Sequence, residues 1–147
     1  MLTERAGALL VLPVFAAGCA GKELARIPMT TEGTHEAAVQ VTAAKPLSFW
    51  TYLDVEDDGT LQASYDIDLV EGGAVKARTT CNPFDVSVSV NKTEITAFGS
   101  RTLKYDGKMK CSLVPTTTGP ATARVTLKFA THPKKLDVRS LTLLVKE

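Results

Sequence analysis

The chain has 147 residues, 44% hydrophobic and 6% aromatic, with 17 basic residues against 16 acidic. That length accommodates one core, and the apolar fraction is too high for a disordered chain and too scattered for a polytopic membrane protein. A formal net charge of +1 argues against the basic excess with which a dedicated binder neutralises phosphates, so no nucleic-acid partner is expected.

Residues Ala6 to Ala17 form an uncharged apolar run, preceded by Arg5 and followed by no charge until Lys22. A helix of that length spans about 18 Å, short of the roughly 30 Å hydrocarbon core, so the run reads as a signal-peptide h-region rather than a membrane span. It ends in Ala16-Ala17-Gly18-Cys19, small residues leading straight into a cysteine. This stretch resembles the lipobox of bacterial lipoproteins. The resemblance implies that the Cys19 thiol takes a diacylglycerol, that the signal is cut before it, and that the new α-amino group is acylated, as with palmitate. It further implies a membrane partner reached through the lipid anchor and a place in the bacterial cell envelope. Ala20, standing where Asp would hold such a protein back, points to the outer membrane. Two other readings of the segment stay open: ordinary secretion with cleavage after Ala20, and a buried hydrophobic element. The expected organisation is a signal peptide over 1–18, a short lipidated tether over 19–24, and a single domain over 25–147.

The chain holds three cysteines, an odd number for an exported protein. With Cys19 acylated, Cys81 and Cys111 remain, and export to an oxidising compartment makes a disulfide between them the leading expectation, against two buried free thiols. Closing a loop of about 30 residues is worth roughly 3.6 kcal/mol in the chain-entropy account.

From Ile27 onward apolar residues recur with period two, and turn signals arrive about every ten residues, the pattern of an all-β fold. The candidate strands are Ala25 to Thr31, Ala37 to Ala43, Leu47 to Glu56, Thr60 to Val70, Ala74 to Cys81, Phe84 to Val90, Glu94 to Phe98, Arg101 to Tyr105, Met109 to Val114, Ala121 to Ala130 and Leu136 to Lys146. Asn91-Lys92 and Asp106-Gly107 read as turns, and His35 to Ala44 also fits a short helix. The expected architecture is an antiparallel β-sandwich, immunoglobulin-like or jelly-roll-like, of about 8–10 strands. Trp50 precedes both cysteines instead of lying between them, so a true immunoglobulin domain is not expected. Strand parity turns Cys81 and Cys111 toward the apolar side of their strands, where they would tie two strands or two sheets.

Asp57-Asp58-Gly59 reads as a three-residue hairpin loop that sets Val55 against Leu61, Leu53 against Ala63 and Phe49 against Ile67. The opposite face then gathers Trp50, Tyr52 and Asp54 with Asp66 and Asp68, a candidate ligand face. Flat aromatics beside carboxylates suit sugars, because rings stack on C–H faces and acidic groups accept hydroxyl bonds. The competing reading packs both aromatics beneath another part of the fold.

Asp54 to Gly59 begins like a calcium loop, but the twelfth position is Tyr65 where a bidentate glutamate is required. His35 and His132 have no zinc spacing, so no metal is expected. Neither GxSxG, P-loop nor GxGxxG occurs, and no cofactor or catalytic residue is assigned. Acidic residues concentrate early and basic residues late, from Arg101 to Arg139; placed at opposite ends of a sandwich they would form a dipole. The functional expectation is a non-enzymatic binding or structural module, with an envelope polysaccharide or a protein as partner. An accessory subunit of an envelope complex is the alternative, and a hydrolase the third.

Overall fold

The computed structural model describes residues 21–42 and 45–147; the segment read as a signal peptide and Cys19 lie outside them. The strands are β1 (Glu23–Ile27), β2 (Gly33–Val41), β3 (Leu47–Asp57), β4 (Ala63–Glu71), β5 (Ala74–Cys81), β6 (Val86–Ala97), β7 (Ser100–Leu113), β8 (Gly119–Phe129) and β9 (Leu136–Lys146). They form two antiparallel sheets, β1-β9-β3-β7-β6 and β2-β8-β4-β5, packed as a β-sandwich. Alternation along each strand builds the core between them. Phe49, Leu53 and Val55 of β3 meet Tyr65, Ile67 and Leu69 of β4 and Val125 and Leu127 of β8, all nearly inaccessible. Thr51 and Tyr65, both fully buried, satisfy each other across the sheets through a 3.0 Å hydroxyl–hydroxyl bond. Burial pushes the Tyr65 phenol well up, against the smaller downward pull of the Thr51 hydrogen bond.

The Cys81–Cys111 disulfide joins β5 of the smaller sheet to β7 of the larger, with Cα atoms 5.5 Å apart. The two cysteines therefore bridge the sheets, the second of the two arrangements that their inward parity left open.

Several local expectations are corrected. Residues His35 to Val41 belong to β2, which pairs with β8 residue for residue, so no helix forms there. Asn91-Lys92 is a bulge inside one long β6, with Asn91 at φ 55°, and the ladder to β7 resumes at Thr93. Asp106-Gly107 is likewise interior to β7. Gly107 faces inward, where a Cβ would lie 2.6 Å from the Val86 side chain; the glycine answers close packing, which sequence alone cannot tell from a turn.

The hairpin between Leu47 and Val70 does not form. β3 lies between β7 and β9 in one sheet, and β4 lies between β5 and β8 in the other. The segment Asp58–Gln62 is a crossover between sheets. Asp57 fixes it: fully buried, its carboxylate accepts both Arg101 guanidinium bonds at 2.9 Å and the Leu61 amide at 2.8 Å. A register argument based on apolar facing residues is satisfied equally well by two strands meeting across a core, which is what β3 and β4 do.

Candidate binding face

The separation of β3 from β4 divides the expected ligand face. Trp50, Tyr52 and Asp54 stand on the outer side of the larger sheet, while Asp66 and Asp68 stand on the outer side of the smaller one. These five residues are not brought together.

Trp50 is only 8% exposed although it points away from the core. It lies between Leu144 of β9 and Lys108 of β7, and the Lys146 ammonium sits 4.4 Å from its ring centroid. A cation already occupies the face a sugar would stack on. Tyr52 is half-buried between Thr142 and Asp106.

The carboxylates are also engaged. Arg139 bonds Glu56 at 2.9 Å and approaches Asp54 at 3.4 Å and Asp137 at 3.5 Å, and Lys135 reaches the other Glu56 oxygen at 2.9 Å. The Lys135 hydrogen bond and charge hold the Glu56 carboxyl below its usual range. Across the molecule Asp66 takes Lys128 at 2.8 Å and the Thr80 hydroxyl at 3.0 Å, and Asp68 takes Arg78 at 2.8 Å. The Lys128 hydrogen bond lowers the Asp66 carboxyl in the same way. Carboxylates kept ionised by adjacent cations are poor general acids at neutral pH. These pairs also dissolve the anticipated dipole, because early acidic residues meet late basic ones across strands. The Asp54–Gly59 stretch is spent similarly: Asp57 on Arg101, and Asp58 on the Thr60 amide and hydroxyl and on the Lys134 amide.

The described surface holds shallow hollows. One of about 550 Å³ lies over the smaller sheet between Ala38, Val70, Pro120 and the Glu36–Arg124 ion pair. Another of about 280 Å³ lies beside Met29, His35 and Ser140, where His35 Nε2 is buried without a hydrogen-bond partner.

The outstanding apolar surface is one that sequence reasoning passed over. β6 is an edge strand exposed along nearly its whole length, and its outer side carries Val88, Val90 and Ile95 beside Lys108, Asp106 and Thr102 of β7. The turn joining β6 to β7 places Phe98 at the tip, fully in solvent, with φ 51°. Strands read at Glu94 to Phe98 and Arg101 to Tyr105 leave only Gly99-Ser100 between them, and that interval was the available sign of a tight turn ending on an aromatic.

No protein-family model matches the chain, and no curated protein matches it.

Proposed function

We propose that the chain is a lipid-anchored protein of the bacterial envelope whose β-sandwich is a binding or structural module for a protein partner, not an enzyme. The observation that carries the reading is the Cys81–Cys111 disulfide. It fits an oxidising compartment outside the cytosol, and it accounts for two of three cysteines, leaving Cys19 for acylation. A protein partner is favoured over an envelope polysaccharide because Trp50 lies beneath Lys146 while Val88, Val90, Ile95 and Phe98 stand open. This is the accessory-subunit form of the function.

The anchored domain sits close to the bilayer. β1 starts at Glu23, four positions after Cys19, and Lys22 already exchanges backbone hydrogen bonds with Glu147 at 2.9 and 3.0 Å. Along β3, from Ser48 beside Lys146 to Asp57 beside Leu136, the sheet extends about 30 Å. The Phe98 turn lies at the Asp57 end, directed away from an outer-membrane anchor.

Detergent-phase partitioning of Cys19→Ser tests the reading. The unchanged protein enters the detergent phase as a processed form, and the variant stays unprocessed there. A variant processed and partitioned like the unchanged protein overturns the anchor. A photo-crosslinker placed at Phe98 in cells then captures a protein; labelling of polysaccharide alone overturns the partner class.

A further inference from the structure

We propose that β6 is a self-pairing edge through which two copies of this chain form an antiparallel dimer, joining their larger sheets into one.

The argument begins with Phe98. In the β4–β5 turn the two loop positions with positive φ are both glycines, Gly72 and Gly73. The β6–β7 turn has the same two-residue form, yet its first position is Phe98, at φ 51° and 108% exposed. A bulky side chain in the left-handed region is disfavoured by Cβ–carbonyl crowding, and this one makes no packing contact in return. Its use lies outside the isolated chain.

The edge next to it lacks the usual protections. Exposed edge strands are commonly guarded by unpaired charge, and β5 carries Lys76 outside the described ion pairs, while its Arg78 is held by Asp68. The charges of β6, Lys92 and Glu94, lie 3.5 Å apart and neutralise each other. Its remaining guards are a ladder irregularity between Val86 and Val88 and the bulge at Asn91-Lys92.

That bulge fixes the register. It brings Val88, Val90, Thr93 and Ile95 onto one side of the strand, all opposite outward residues of β7. An antiparallel two-fold through the bulge sets Val88 against Ile95 of the second copy and Val90 against its Thr93. The two Asn91-Lys92 bulges then coincide on the axis, and the regular pairing runs outward from there as far as the Val86/Val88 irregularity of each strand. Phe98 of each copy falls near the Phe84–Asp85 end of the other's edge, beyond the Val86/Val88 irregularity. Residue meets residue reciprocally, as an isologous interface demands. Val88, Val90, Ile95 and Phe98 are 48, 44, 58 and 108% exposed. Counting about 200 Å² for the aromatic and less for each aliphatic, two copies supply at most about 1,000 Å² from these side chains, so the contact is a small one that relies on the main-chain hydrogen bonds of the newly paired edge.

Sedimentation of the full chain in density-matched detergent decides the matter. The unchanged protein sediments as a dimer, while Val88→Lys and Ile95→Glu each give monomers with an intact disulfide and an unchanged circular dichroism spectrum. Combining V88K with I95E in one chain restores the dimer, because the register places the introduced ammonium opposite the introduced carboxylate of the other copy. Phe98→Asn, which suits the turn better, raises the dimer dissociation constant at least tenfold without unfolding the chain. A monomeric unchanged protein, single variants that remain dimeric, or a double variant that stays monomeric each overturns the proposal. The inference rests on the partner reading of this open surface and names a second copy as its occupant; a monomer leaves the lipid anchor standing and returns the surface to a different protein.

Discussion

Asp57 shows how one side chain governs the connection between layers. A fully buried carboxylate is tolerable only when its charge and lone pairs are met, and Arg101 together with the Leu61 amide meets them. Arg101 is itself shielded, with 18% of its side chain exposed and its guanidinium 5.7 Å from the Phe84 ring centroid. Asp57→Ala strands that cation and frees the crossover, so it is expected to cost about 3 kcal/mol in urea unfolding. Asp66→Ala, which removes a partly exposed pair with Lys128, is expected to cost less than about 1 kcal/mol. Equal small losses at both positions would contradict the assignment of Asp57 as the crossover lock. The sequence marks Asp57 only as part of an acidic turn, since burial and the distant Arg101 are properties of the folded chain.

At the scale of elements, the disulfide ties β5, an edge of the smaller sheet, to β7 inside the larger one. Cys81→Ala is expected to destabilise the domain by about 3 kcal/mol, because the bond closes a loop of 30 residues. Non-reducing peptide mapping of exported protein checks the pairing, and two alkylatable thiols would contradict it. The cysteine count proposed this pair and strand parity turned both members inward, because period-two alternation places a residue on a face without knowing the neighbouring strand. The same alternation located most strands, and every strand outside β6 and β7 overlaps a single expected run. It failed where assignment depends on partners: which sheet holds β4, whether Gly107 turns or packs, and whether Asn91 ends a strand or bulges it. The candidate face failed for the same reason. Trp50 and Asp66 are outward residues, but of different sheets, and the cover of Lys146 over Trp50 comes from a strand far along the chain.

For the whole molecule, charge sets the pH range of stability. Glu56, Asp58, Asp66 and Glu147 are held below their usual values, chiefly by hydrogen bonds from Lys135, Thr60, Lys128 and Thr42 respectively. Their contribution is present above the unfolded carboxylate range, near pH 4, and is lost as pH falls through the lower folded values. Burial pushes the Tyr105 phenol up to about 12 and Tyr65 further. Their contribution is complete below the unfolded value near pH 10 and disappears as pH rises beyond it. Thermal midpoints by circular dichroism should therefore be flat from about pH 5 to 9 and fall on both sides. Tyr105→Phe should blunt the alkaline fall. A profile that declines steadily across neutrality would contradict this account.

The most direct test is the intact mass of the protein isolated from its own cells, measured before and after reduction. The predicted species begins at Cys19, carries the mass of a thioether-linked diacylglycerol and an N-acyl chain, and gains two hydrogens on reduction of Cys81–Cys111. A chain without lipid mass, or one unchanged by reductant, would contradict an anchored, disulfide-bonded envelope module.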